Sequence, residues 1–151
     1  MVLCLRNNIF PVRLEGVDFI IPIPLHSQEL KIDGDTGEKF NQTELLANYI
    51  SNKLNIECLK DLIIKTKPLK MRGLKRDDRL YYARQIYDLN ELTYQEMKGE
   101  LKNSTILLID DVRTTGATGL ACAEILKKKA EVMRVYLFVA GRAIFAEVVC
   151  K

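Results

Sequence analysis

The sequence predicts an α/β protein with a mainly parallel central sheet flanked by helices. Two runs, Asp18–Ile23 and Ile106–Ile109, are apolar without alternation, as expected of strands buried on both faces. A third, Val132–Ala140, is rich in β-branched and aromatic residues. Stretches with helical spacing separate these strands, the pattern of a parallel sheet built from crossover units. With 151 residues, 48% hydrophobic and 28% charged, the chain is expected to form one domain spanning 1–151 with a substantial core.

Val2–Leu5 reads as a short first strand. Pro22 and Pro24 end the second, because proline offers no N–H to a ladder. Leu25–Lys39 is polar, carries Gly34 and Gly37, and reads as a loop. A helix is predicted from Asn41, where Asn41 and Glu44 fit a capping box and Phe40 a hydrophobic staple. Leu46, Tyr49, Ile50 and Leu54 follow at helical spacing. Cys58–Lys65 reads as one strand centred on Ile63 and Ile64. The next segment is strongly basic, with Lys67, Lys70, Arg72, Lys75, Arg76, Arg79 and Arg84. Within it Arg76–Gln85 fits a short helix, followed by a small strand at Ile86–Leu89. The connection to Asn103 carries no clear pattern. Ser104–Ile109 is a strand and Gly119–Lys129 a helix.

A net charge of +3 does not argue for nucleic acid. No stretch approaches the roughly 18–20 apolar residues of a membrane span. Met1–Phe10 has too short an apolar region for a signal peptide, so a cytoplasmic location is expected. Cys4, Cys58, Cys122 and Cys150 are dispersed, which excludes a compact zinc ribbon and gives no disulfide framework. They read as reduced, mostly buried thiols, with Cys122 on the apolar side of its helix.

The chemistry concentrates in Ile106–Thr118. A buried strand delivers Asp110 and Asp111 at its end, and a threonine-rich turn around Gly116 opens a helix. Unpaired amides at a helix N-terminus favour a phosphate without lysine. Thr114, Thr115 and Thr118 add hydroxyl donors, and ionised carboxylates accept from vicinal diols. A ribose 5-phosphate would satisfy both halves. This is not a P-loop, since no G-K-[ST] triplet occurs. A two-component phosphoacceptor domain needs a further strand ending on an acceptor aspartate, and residues 112–151 contain none.

The run closely resembles the 5-phosphoribosyl-1-diphosphate (PRPP) motif of type I phosphoribosyltransferases. The resemblance implies that fold, with a small hood and flexible-loop region. It implies that Asp110 and Asp111 form the catalytic pair on the ribose hydroxyls, with Mg²⁺ bound directly or through water. Thr114, Thr115, Gly116, Ala117 and Thr118 would take the 5-phosphate, and Val112 and Arg113, between the acids and that cup, count among the PRPP-binding residues. The flanks are similar to the ComF-like (competence protein F) group. Ile21-Pro22-Ile23-Pro24-Leu25-His26 matches its proline strand end, Phe40-Asn41-Gln42 its helix start, and Gly73-Leu74-Lys75-Arg76 with Arg79 its arginine-rich segment. His26, Lys39, Lys75, Arg76 and Arg79 are the residues expected near diphosphate, although a structural role in the loop suits His26 better.

One departure stands out. Where that group usually carries basic residues, this loop has Glu29, Asp33, Asp35 and Glu38, with Lys31 and Lys39 its only cations. The cysteine-rich metal module of many ComF proteins has no counterpart either. The reaction implied is transfer of the 5-phosphoribosyl group to a nitrogen nucleophile with release of diphosphate. The alternative is a non-catalytic PRPP or nucleotide sensor, or a competence (DNA uptake) accessory. The expected partner is PRPP or a ribose 5-phosphate-containing nucleotide, with no membrane, with direct nucleic-acid binding disfavoured, and with a homodimer as the compatible assembly.

Overall fold

The computed structural model of the chain describes residues 16–69, 74–111, 116–142 and 144–148. The strand expected at Val2–Leu5, together with Cys4 and Cys150, lies outside them. In chain order the strands are β1 (Phe19–Pro22), β2 (Lys31–Ile32), β3 (Lys39–Phe40), β4 (Glu57–Cys58), β5 (Ile63–Lys65), β6 (Tyr87–Leu89), β7 (Thr105–Asp110), β8 (Arg134–Val139) and β9 (Ile144–Glu147). The α-helices among the described residues are α1 (Gln42–Leu54), α2 (Arg76–Ile86), α3 (Glu91–Leu101) and α4 (Ala117–Lys129).

The central sheet has the order β4-β1-β7-β8-β9. Its first four strands are parallel, and β9 runs antiparallel to β8. This bears out the predicted α/β class and is consistent with the type I phosphoribosyltransferase fold. No helix among the described residues is long and apolar enough to cross a membrane.

Strand β7 explains the two-layered packing. Ile106, Leu107, Leu108 and Ile109 are completely buried. Side chains alternate across a strand, so Ile106 and Leu108 join Cys122 and Leu126 of α4 in one cluster. Leu107 and Ile109 join Leu46, Ala47 and Ile50 of α1 in the other. The helix after β1 therefore covers one face and the helix after β7 the opposite face. From β1 the chain moves outward to β4; from β7 it moves the other way, to β8. The crevice between the carboxyl ends of β1 and β7 is the switch point where open α/β sheets bind ligands.

Local chemistry fixes the helices. Asn41 caps α1 by accepting from Thr43 N at 3.0 Å, rather than through a box with Glu44. The Glu44 carboxylate instead pairs with Lys60 at 3.7 Å. Helix α4 begins at Ala117, two residues before the expected start. It lies so close to β8 that a Cβ on Gly119 would stand 2.7 Å from Leu137 Cδ2, a contact only glycine permits without a shift.

Three expectations are corrected. Cys58–Lys65 is two strands: β4 pairs with β1, while β5 leaves the main sheet and pairs antiparallel with β6. Lys60 and Asp61 make the intervening turn. Leu25–Lys39 is not only loop, since it holds a 3-10 turn at Ser27–Glu29 and the β2–β3 hairpin. The connection before Asn103 contains α3, capped by Asn90 accepting from Leu92 N at 3.2 Å.

The two-sided burial of β7 predicts that Leu108→Ala costs about 2–5 kcal/mol. Leu92→Ala, on a side chain 79% exposed, should stay within about 0.5 kcal/mol. Urea denaturation of both variants checks this, and equal losses would count against the placement of β7.

Candidate functional site

Strand β7 carries Asp110 to the carboxyl edge of the sheet, and both neighbours pin the segment there. Ile23 N donates to Ile109 O at 2.9 Å, and Gly141 N donates to Asp111 O at 2.7 Å. Asp110 and Asp111 are half-buried. Val112 and Arg113, expected to contact PRPP, and Thr114 and Thr115, expected to line the phosphate cup, lie outside the described residues. The far side of the cup is described. Gly116 caps α4 with φ 78°, a left-handed conformation that strains any residue with a side chain. Its carbonyl accepts the first helical bond, from Leu120 N at 2.9 Å. Ala117 and Thr118 then stand in the first turn of that helix.

Alternation along β7 sets Asp110 on the face of Ile106 and Leu108, the face covered by α4. Tyr87 and Cys122 lie on that same face. Burial first, then the Asp110 carboxylate, holds the Cys122 thiol well above its ordinary range. Burial likewise pushes Cys58 up to about 11. Neither thiol is poised as a nucleophile.

His26 follows β1 and serves as a cap. Its Nδ1 accepts from Gln28 N at 3.3 Å, and its backbone N–H donates to Glu29 Oε2 at 3.1 Å. The ring therefore holds the 3-10 turn together, the structural role that suited it better in the sequence. Lys39 is exposed on β3 opposite Ile32. Lys75 is the N-cap residue of α2 and Arg76 the first residue of that helix. Arg79 Nε donates to Leu74 O at 2.8 Å. Arg79 precedes Tyr87 by eight positions, about 12 Å along a helix, so Lys75, Arg76 and Arg79 occupy the outer end of α2. Lys70, Arg72 and Gly73 lie outside the described residues.

Two residues that flank the basic segment, Lys65 and Tyr87, were missed by sequence reasoning. Lys65 sits opposite Tyr87 in the β5–β6 ribbon. Its Nζ donates to Glu29 Oε2 at 2.5 Å and to Leu69 O at 3.3 Å, with side chains of Lys65 and Glu29 only 4% and 14% exposed. The same ammonium stands 5.8 Å from the Tyr87 ring centroid. Tyr87 is buried, and burial foremost holds its phenol well above the ordinary range. No short motif announces this cluster, because its members come from separate segments.

The acidic loop gains a different meaning from these contacts. Glu29 is spent on Lys65 and the His26 cap. Asp33 Oδ1 accepts from Asp35 N, Thr36 N and Thr36 Oγ1 at 3.0, 2.8 and 3.0 Å, closing the hairpin turn. Those bonds, the Thr36 amide foremost, lower its pKa. Two of the four acids thus build the loop.

A second ion pair ties the basic segment to the cup helix. Arg84 donates to Glu124 through Nε at 2.8 Å and Nη2 at 2.6 Å, a fork-like pair between α2 and α4. The Arg84 hydrogen bonds depress the Glu124 carboxyl. Among the described residues, no group of three or more acids, histidines or cysteines could hold a metal ion. Asp110 and Asp111 offer hard oxygen donors of the kind that would suit Mg²⁺, the rest of whose shell would come from ligand and water.

No family model matches the chain. It is 30% identical over 117 residues to Competence protein F of Haemophilus influenzae, covering 77% of this chain and 47% of that protein. The similarity supports a ComF-like family. The chain spans about half the length of that relative.

Two outcomes are expected. Because the Glu124 carboxyl is depressed, its contribution to stability is complete above the ordinary glutamate range and is lost as pH falls through the lowered value. Glu124→Gln should therefore lower the melting temperature at pH 7, and the gap to wild type should close as pH falls below the ordinary glutamate range. Thermal melts across pH test this. Separately, Glu29→Ala strands a buried ammonium and should cost about 3–5 kcal/mol in chemical denaturation, whereas Glu38→Ala, on an exposed residue, should cost under about 0.5 kcal/mol.

Proposed function

We propose that this protein binds PRPP together with Mg²⁺ and transfers its 5-phosphoribosyl group to a nitrogen nucleophile. The observation that carries the reading is the junction of Asp110 and Asp111 with the Gly116-capped start of α4, at the switch point of the sheet. The helix N-terminus would take the 5-phosphate and the acids the ribose hydroxyls. In the reaction the bond from C1 to the diphosphate oxygen breaks, the diphosphate leaves with the electron pair, and a C1–N bond forms. Positive charge develops on the ribose ring, so the half-buried carboxylates beside it stabilise that state while fixing the sugar. Bound Mg²⁺ would supply charge neutralisation on the departing diphosphate.

The resemblance of Ile106–Thr118 to the PRPP motif supports this reading, as does the ComF-like similarity. The acids of the 29–38 loop argue against it less strongly than their count suggests, since Glu29 and Asp33 are engaged within the loop. A second reading, a nucleotide sensor or competence accessory without turnover, draws on the name of the relative.

Calorimetric titration with PRPP separates these readings. Wild type should bind in a Mg²⁺-dependent manner. Asp110→Asn/Asp111→Asn should weaken binding at least about tenfold, because hydrogen bonds to charged groups are lost. Diphosphate release with one of a panel of nucleobases and amines supports transfer. Binding without release across the panel favours the sensor, and no binding by wild type overturns both.

A further inference from the structure

The proposed chemistry leaves one enclosed ion pair unused. We propose that Lys65 and Glu29 are positioning residues: the pair holds the turn after β1 at the rim of the crevice, where the C1 end of the ligand would lie. The proposal rests on the PRPP reading of the same site.

Three observations support it. First, the β5–β6 ribbon needs a link. Among the described residues its strands pair only with each other, so no backbone ladder joins them to β1. Lys65 supplies that link from its side chain, with Nζ donating to Glu29 Oε2 at 2.5 Å and to Leu69 O at 3.3 Å. Second, Glu29 uses one oxygen twice. The same Oε2 accepts from His26 N at 3.1 Å, so the carboxylate that grips Lys65 also closes the Ser27–Glu29 turn. Third, the ammonium has an aromatic neighbour in the core. It stands 5.8 Å from the ring centroid of Tyr87, whose cluster includes Ala121 and Cys122 of α4. One chain of contacts thus runs from the β1 turn, through Lys65, to the helix that opens at Gly116.

The arrangement favours a role in position over one in charge or stability. Both side chains are almost enclosed, so the ammonium meets a carboxylate rather than water, and the two charges cancel. Replacing such a pair by neutral groups often leaves stability unchanged, whereas removing one partner is costly. What the pair adds is a fixed turn. A ribose carries its 5-phosphate and its C1 substituent at opposite ends of the ring. With the phosphate at α4 and the hydroxyls on Asp110 and Asp111, the C1 end would face away from the helix. On the β8 side the edge is closed, since Gly141 N donates to Asp111 O at 2.7 Å. The β1 side remains, and its rim is the turn that exposes Ser27 and Gln28. A turn fixed before binding costs less to order around a diphosphate than a loose one.

The test compares calorimetric affinities of the full chain for PRPP with Mg²⁺ and for ribose 5-phosphate, which lacks the diphosphate. Lys65→Met/Glu29→Gln removes the link without stranding a charge, and should melt near wild type. It should bind ribose 5-phosphate within about twofold of wild type but PRPP about fivefold more weakly, the scale of one hydrogen bond. Glu29→Asp keeps both charges and shortens the link by one methylene, so it should show the same split independently. Glu29→Gln alone keeps an acceptor for Lys65 and for His26 N, and should bind PRPP within about twofold of wild type. A merely structural pair would weaken both ligands alike or neither. The split in either of the first two variants, with Glu29→Gln no tighter than wild type, upholds the proposal. Absence of the split from both overturns it. Tighter PRPP binding by Glu29→Gln also overturns it, because Lys65 would then be a cation for the ligand that Glu29 masks. In either case wild-type binding leaves the PRPP reading standing. If wild type binds neither ligand, both readings fall.

Discussion

The burial of β7 on both faces is the constraint from which the other features follow. A strand whose successive side chains must enter two apolar layers admits no polar residue until it leaves the sheet. Ile106 to Ile109 obey this, and the first carboxylate appears where the strand ends. The carboxylates therefore stand at the carboxyl edge because burial allows them nowhere else along the strand. The same alternation assigns them different surroundings. Asp110 shares the side of Cys122 and Tyr87, and Asp111 is held through its carbonyl by the turn after β8.

The opposite crossovers from β1 and β7 add the second element of the site. Each helix must return along its own face of the sheet, so the two strand ends stand side by side with no connection bridging them. Proline at the end of β1 and glycine at the start of α4 keep the backbone at that edge from continuing into sheet or helix prematurely. His26 and Glu29 then lock the first turn beyond β1 by reciprocal capping. On the β1 side the crevice is thus bordered by a short, internally bonded turn.

Local patterns disclosed the parallel sheet and the acid-and-turn junction, because each is written in consecutive residues. The apolar run at Ile106–Ile109 and the capping asparagine at Asn41 need no distant partner to be recognised. Helix α3 escaped because only Leu101 within it is fully buried, so its apolar stripe is too thin to stand out. Cys58–Lys65 looked continuous because apolar residues recur through it, and periodicity cannot reveal that the two ends pair with different strands. Lys65 and Tyr87 escaped for a different reason. A lysine at the end of a predicted strand shows no partner in sequence until its carboxylate, 36 positions away, is brought against it. The acids of the 29–38 loop were misleading in the same way, since their charge is visible in sequence but their partners are not.

The sheet's outer strands have a consequence for how the protein coexists with copies of itself. An unpaired strand edge is a template for intermolecular ladders, and long flat parallel edges are the most hazardous. Here the flank beside β1 is β4, only two residues long, and it offers almost no ladder to copy. On the other flank, β9 reverses direction and shields the six-residue β8. The strands that form the ligand edge are thereby kept in the interior of the sheet, out of reach of another chain's backbone. The architecture protects against aggregation the very strands it uses to present its carboxylates.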